Sequence, residues 1–145
     1  MIFTKVRDVK SPCRANDTDA GIDFYVPNDF WPITLDPQKD VLIPSGVKVH
    51  VPNGYALIAF NKSGVATKKK LAVGAEVIDV GYEGEMGLHL FNAGTEPQYI
   101  EPGMKIIQFV LLPISSAHPK EVSNDEYTAC CGSNRGAGGF GSTGI

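Results

Sequence analysis

Val77-Ile78-Asp79-Val80-Gly81-Tyr82-Glu83-Gly84-Glu85 is the stretch around which the chain is organised. Val-Ile is strand chemistry, because β-branched side chains fit a pleated surface. Gly81 and Gly84 bring the backbone freedom that tight turning needs. Met86-Gly87-Leu88-His89-Leu90-Phe91 then resumes an apolar run. The pattern predicts a hairpin, with Asp79 at the end of its first strand and Tyr82 at the bend. A carboxylate at a strand end with an aromatic three residues on is either a site or an exposed hairpin tip, and the stretch alone leaves both open.

Short β-type runs surround it. Val47-Lys48-Val49-His50-Val51 alternates strictly, as a half-buried strand does. Tyr55-Ala56-Leu57-Ile58-Ala59-Phe60 and Ile106-Ile107-Gln108-Phe109-Val110-Leu111-Leu112 are apolar on both phases and read as buried strands; Val41-Leu42-Ile43 is a further short one. Pro52-Asn53-Gly54, Ala93 to Pro97 and Glu101-Pro102-Gly103 are turns. Prolines from Pro12 to Pro52 forbid a long helix there. Many short strands with turn chemistry between them predict an all-β sandwich, jelly roll or barrel. One stretch reads as helical: Ser63-Gly64-Val65-Ala66-Thr67-Lys68-Lys69-Lys70, with Ser63 as N-cap and cations at the end the helix dipole favours. Its three lysines read as a solvated helix end rather than a polyanion patch.

The 145 residues suffice for one domain with a real core, and 43% are apolar, near the norm for a globular protein. A net charge of -3 provides no basic field for polymeric nucleic acid. No apolar run approaches the roughly 20 residues of a membrane span, and the N-terminus lacks a signal-peptide core, so an intracellular, cytoplasmic protein is expected. Cys13, Cys130 and Cys131 are odd in number, two of them adjacent, which is neither a disulfide framework nor zinc-ligand spacing. His50, His89 and His118 show no ligand spacing and receive no role. From Ser123 the chain turns polar, and Gly136 to Ile145 contain five glycines. Such a segment cannot bury enough apolar surface to order itself, although a ligand can order it. The expected organisation is therefore a domain over 1–122 and a flexible arm over 123–145.

Four further places carry chemistry. The tail Arg135-Gly136-Ala137-Gly138-Gly139-Phe140-Gly141-Ser142-Thr143-Gly144 contains a literal G-x-G-x-x-G, but no strand leads in and no helix follows, so the dinucleotide-binding reading fails. Backbone N–H groups freed of side chains can instead line an anion, with hydroxyls from Ser142 and Thr143 and the planar fork of Arg135. Phe140 needs a flat partner, and a nucleobase would serve. Phe60-Asn61-Lys62-Ser63-Gly64 ends a strand at a helix start, where N–H groups and Lys62 favour an anion, or where Ser is simply a cap. Gln108 is the lone polar residue of its run and needs either a backbone or a ligand partner. Thr18-Asp19-Ala20-Gly21-Ile22-Asp23 places small residues and an acid at a strand start, and by itself reads as a turn.

Taken in order, these places resemble the five motifs of the trimeric dUTPases (deoxyuridine 5'-triphosphate nucleotidohydrolases). Asp19-Ala20-Gly21-Ile22-Asp23-Phe24 is similar to the first and Asn61-Lys62-Ser63-Gly64 to the second. The third is Val77-Ile78-Asp79 through Glu85, the fourth Pro102-Gly103-Met104-Lys105-Ile106-Ile107-Gln108, the fifth Arg135 through Gly144. The resemblance spans nearly the whole chain. It implies a distorted β-barrel or jelly roll, a homotrimer with active sites between subunits, and an arm that closes over a neighbour's site. It implies Mg²⁺-dependent hydrolysis of dUTP to dUMP and pyrophosphate, with Asp79 as general base for water attacking the α-phosphate. Tyr82 would pack on the deoxyribose and Phe140 on the base, while backbone from Ala75 to Val77 would read the uracil edge. Lys62, Ser63, Gly64 and Gln108 would hold phosphates; Arg135, Gly141, Ser142 and Thr143 would clamp the far end; Asp23 would support a water network. Mg²⁺ would ride on the triphosphate oxygens, with no direct protein ligand.

The sequence departs from the family pattern at three places. Asn61-Lys62-Ser63 stands for Pro-Arg-Ser, Lys105 and Ile107 for Arg and Ala, and Glu76 for the Gly before Val-Ile-Asp. Glu76 keeps open a same-fold pyrophosphatase for dCTP or a modified dUTP. The related dCTP deaminases share the fold, but His89 stands where they carry a catalytic Glu, which disfavours deamination. A nucleotide-gated protein-binding regulator is the remaining alternative.

Overall fold

A computed structural model describes residues 1–75, 77–133, 136 and 138. The candidates Arg135, Phe140, Gly141, Ser142 and Thr143, and also Glu76, lie outside the described residues. The chain divides into two compact units, 1–115 and 116–145.

The first unit is all-β, with eleven described strands: β1 Ile2–Lys5, β2 Ile22–Tyr25, β3 Ile33–Leu35, β4 Asp40–Pro44, β5 Val47–His50, β6 Tyr55–Asn61, β7 Leu71–Val73, β8 Val77–Ile78, β9 Gly87–Asn92, β10 Gln98–Ile100 and β11 Lys105–Pro113. They pair antiparallel in jelly-roll-like sheets of order β2-β11-β6-β8, β4-β9-β7, β1-β5 and β10-β3. Among the described residues these sheets do not close into a barrel.

The periodicity of two explains which residues turn inward. In β5 Val47 and Val49 are buried while Lys48 and His50 face out. β11 is the central strand of its sheet: Gln108 pairs with Phe60 of β6 on one side and Asp23 of β2 on the other. Phe24 and Phe109 meet at 4.7 Å in a tilted pair, within a core that also takes Ile43, Leu57, Met86, Leu88, Leu90 and Ile107. Asn92, fully buried, spends its amide on the carbonyls of Leu35 and Glu96 (2.9 Å each) and accepts from the Gly94 N–H at 3.0 Å. That ties the Ala93–Pro97 turn to β3 with no orphaned polar group. The expected turns at Pro52–Gly54 and Glu101–Gly103 form, with Gly54 and Gly103 at φ +81° and +80°.

Three expectations are corrected. Val77–Ile78 and Gly87–Asn92 are strands but not a hairpin: β8 pairs with β6 and β9 with β4 and β7, so residues 79–86 turn a corner from one sheet to another. The helical stretch forms, as a π-helical turn over Val65–Lys69 with Lys68 and Lys69 in its last turn, but Ser63 gives no side-chain cap. The Ser63 carbonyl instead accepts from the Thr67 hydroxyl at 2.7 Å. Finally, the polar segment after Ser123 does order in part: α1 spans Asn124–Cys131, and the Ser123 hydroxyl accepts from the Glu126 N–H at 3.2 Å. Among the described residues no helix is long and apolar enough to cross a membrane.

Candidate active site

The opening stretch lies on the surface. Asp79 follows directly on β8 and is exposed, as are Val77, Val80 and Tyr82. The chain turns just after it: Tyr82 N–H donates to the Asp79 carbonyl at 3.3 Å, and Gly81 takes φ +86°. Tyr82 then folds back so that its hydroxyl donates to the Glu85 carbonyl at 2.9 Å. Gly84 makes room for this, since a Cβ there would come within 2.4 Å of the Tyr82 oxygen. Glu85 fixes the corner from the other end. One carboxylate oxygen accepts from Arg7 Nε at 2.7 Å and from the Gly46 N–H at 2.8 Å. The bond from Arg7, supported by the one from Gly46, holds the Glu85 carboxyl below its ordinary range, and Arg7 is raised in return.

Ala75, Val77 and Tyr82 line one cavity of about 320 Å³, together with Leu42, Ile78 and Met86. Its walls are mostly apolar, a lining suited to a flat ring.

A second cavity, of about 520 Å³, collects Lys62, Ser63, Gly64 and Gln108. Lys68, Lys69 and Lys105 line it too. Two of the three lysines read as a solvated helix end thus face the same space as Lys62, and the local run of charge could not reveal this because the cavity is made by chain folding. Asp23, 4% exposed, sits behind: it forms an ion pair with Lys62 and a second with Lys105 at 3.2 Å. A buried carboxylate needs a partner of opposite charge; Asp23 has two and joins both cations. Gln108 donates from Nε2 to the Asn61 carbonyl at 2.9 Å. The departures Lys62 and Lys105 therefore act as a pair, both joined to Asp23. Four lysines line this cavity, two of them paired with Asp23, and their net positive charge favours an anion.

Of the predicted phosphate residues, Lys62, Ser63, Gly64 and Gln108 line one cavity, and of the predicted base and sugar residues, Ala75, Val77 and Tyr82 line another. These two cavities share no lining residue. His89, to which the sequence assigns no role, contacts two other elements. Its Nδ1 accepts from the Ala75 N–H at 2.8 Å, and its Nε2 lies 3.0 Å from an Asp40 carboxylate oxygen. No signal in the local sequence points to this, because Ala75 reaches His89 from the segment between β7 and β8, and Asp40 from β4. Among the described residues no group of three or more His, Cys, Asp or Glu is placed to hold a metal ion.

A model of the dUTPase family matches residues 7–144. The chain belongs to the dUTPase family. Relatives in that family include the deoxyuridine 5'-triphosphate nucleotidohydrolase of Clostridium tetani, 37% identical over 94% of this chain and 90% of that protein. The enzyme of the same name from Rhizobium etli is 38% identical over 92% of this chain and 85% of its own length. Among solved structures, the dUTPase of Staphylococcus bacteriophage 80alpha with dUpNHpp superposes with a TM-score of 0.86 at 27% identity, covering 99% of this chain and 98% of that one. A dUTPase variant from the S. aureus phage phi11, described as coordinating a structural Mg(II) ion, superposes at 0.76 with 25% identity over 85% of this chain and 96% of that one. The dUTPase fold is thus present over nearly the full chain, and the two cavities sit on a dUTPase framework.

Proposed function

We propose that Asp79 is the general base of dUTP hydrolysis and that the working site is assembled from more than one copy of the chain. The chain is a dUTP diphosphatase by family. The observation that supports the assembled site is the separation of its halves. Asp79, Val77 and Tyr82 are exposed at a corner, while the lysine-lined cavity with Gln108 lies apart and shares none of these residues. A homotrimer that apposes the corner of one subunit to the lysine cavity of another completes the site, and the arm with Arg135, Phe140, Gly141, Ser142 and Thr143 closes it.

In this mechanism the lysine cavity takes the triphosphate, with Lys62, Ser63, Gly64 and Gln108 as contacts. The apolar cavity takes uracil and deoxyribose. Backbone between Ala75 and Val77 reads the base edge, and the Tyr82 ring, pinned by its bond to Glu85, packs on the sugar. Asp79 accepts a proton from water as the water oxygen bonds to the α-phosphorus. The bond from that phosphorus to the bridging oxygen breaks, and pyrophosphate leaves with the bonding pair. A carboxylate serves as base only within hydrogen-bond reach of the water; that Asp79 follows directly on a paired strand supports this role. Asp23 acts indirectly, by holding Lys62 and Lys105.

The donor set fits a nucleotide-borne Mg²⁺. The carboxylate nearest the phosphate cavity, Asp23, is committed to lysines, and no described cluster of carboxylates or imidazoles offers a protein cage. The ion would be held by triphosphate oxygens and water, as Mg²⁺ commonly is; the chemistry it supplies is neutralisation of phosphate charge. The reaction also fits an intracellular enzyme acting on the nucleotide pool.

A panel of deoxynucleoside triphosphates with pyrophosphate readout, with and without Mg²⁺, tests this reading. Release of dUMP and pyrophosphate from dUTP, dependent on Mg²⁺ and absent with dCTP, is the expected result. Preference for dCTP would transfer the function to another base, and no hydrolysis of any triphosphate would overturn it.

A further inference from the structure

The segment between β7 and β8 crosses from one sheet to another. Val73 pairs with Leu90 in the β4-β9-β7 sheet, and four residues later Val77 pairs with Ile58 in the other. The Gly74 N–H still reaches the His89 carbonyl at 3.1 Å, the last backbone bond of the β7–β9 ladder. The Ala75 N–H lies past both ladders and goes to the His89 ring at 2.8 Å.

We propose that His89 is a positioning residue that fixes the base-binding segment through this bond, a role that rests on the dUTPase reading of the Ala75, Val77 and Tyr82 cavity. The two ring contacts determine the tautomer. Nδ1 accepts from a backbone N–H, so it carries no proton, and Nε2 must then carry one. Nε2–H donates to Asp40, 3.0 Å away on β4, the strand that packs against His89 from the opposite side to β7. The carboxylate thereby selects the tautomer whose other nitrogen is free to accept, as outer partners do for metal-bound imidazoles. Leu42 stands opposite His89 in the β4 ladder, and β7 contributes no titratable residue, so Asp40 is the charged group facing the ring from these strands. The ring also fills the space above Gly74: a Cβ there would lie 2.0 Å from Nδ1. The arrangement therefore needs a glycine, a histidine and an aspartate from three separate stretches.

Ala75 is exposed, so water can replace the lost acceptor. Removing His89 frees the segment rather than orphaning a buried group, and a net hydrogen bond is worth about 3- to 10-fold in an equilibrium. The effect falls on binding of the base and not on the water at Asp79.

The test compares the unaltered enzyme with His89→Ala and His89→Asn, each checked for folding by circular dichroism. The Asn side-chain oxygen can occupy the Nδ1 position and accept from Ala75. His89→Ala is expected to raise KM for dUTP about 3- to 10-fold with kcat changed less than about 2-fold, and His89→Asn to restore KM. Imidazole ¹⁵N shifts of the unaltered protein are expected to show Nε2 protonated and Nδ1 accepting. Equal KM in all three proteins, His89→Asn behaving as His89→Ala, or a protonated Nδ1 would each overturn the proposal. Should His89→Ala fail to fold, His89→Asn and the ¹⁵N shifts decide. An unaltered protein without dUTP turnover overturns the dUTPase reading first, which separates the two failures.

Discussion

Gly21 lies directly beneath the side chain of Gln108: a Cβ on residue 21 would come within 2.2 Å of Oε1 and 2.8 Å of Cδ. Gly21 immediately precedes β2, whose Asp23 stands opposite Gln108 in β11, and Gln108 lines the lysine cavity. Gly21→Ala therefore forces the amide to move. The clashing atoms are the far end of a flexible side chain, so the cost in stability is small, about 1 kcal/mol or less. The cost in function is larger. KM for dUTP is expected to rise about 3- to 10-fold as the Gln108–Asn61 bond is lost, measured by steady-state kinetics beside a thermal melt.

Glu85 sets an acid-side dependence of stability. Its carboxyl is held below the ordinary value of 4.5, first by the bond from Arg7. A lowered folded-state pKa means that the contribution is complete above the unfolded value and disappears as pH falls through the folded one. Tm of the unaltered protein should therefore exceed that of Glu85→Gln at neutral pH, with the gap closing below about pH 4.5. A gap constant through acid would show that the Arg7 pair contributes nothing.

Deleting residues 135–145 removes the arm while leaving the strands and core of the first unit untouched. The circular dichroism spectrum should keep its β character. Turnover should fall by about 100-fold, the scale of losing a group that positions substrate. Unchanged kinetics would exclude the arm from the site.

The divided site makes a mixing prediction. Asp79→Asn disables the corner and Lys62→Ala the lysine cavity, so each variant alone is inactive. If the two halves come from different subunits, co-refolding equal amounts restores roughly a quarter of the sites. If both halves come from one chain, every site in the mixture stays defective and activity stays at the level of the variants.

Much of the fold was legible because period-two burial is local. Val47 to Val51 reads in sequence as it packs, and β6 and β11 emerge from their apolar runs. Strand partners were not legible. Val77–Ile78 and Gly87–Asn92 have hairpin chemistry between them, but Leu57 and Ile58 of β6 claim the first strand and β4 and β7 the second. Such a choice is made by long-range burial. The α1 helix carries a local signal: Ser123-Asn124-Asp125-Glu126 has the Ser-x-x-Glu capping-box pattern, and the Ser123–Glu126 bond forms.

The candidate site was legible as residue types and not as geometry. Lys62, Ser63, Gly64 and Gln108 share a cavity as their motifs imply, and Ala75, Val77 and Tyr82 share another. The lysine ring and His89 were hidden because Asp23, Lys62 and Lys105 meet only when β2, β6 and β11 lie side by side, and Ala75, His89 and Asp40 only when β4 and β7 flank β9.

The proposed hydrolysis depends above all on Asp79 as base. Steady-state hydrolysis of dUTP by Asp79→Asn, with nucleotide affinity measured on the same sample, tests it most directly. Because Asn keeps the shape and loses the basicity, kcat should fall by about 100- to 10,000-fold while affinity changes little. Turnover within a few-fold of the unaltered enzyme would contradict the mechanism.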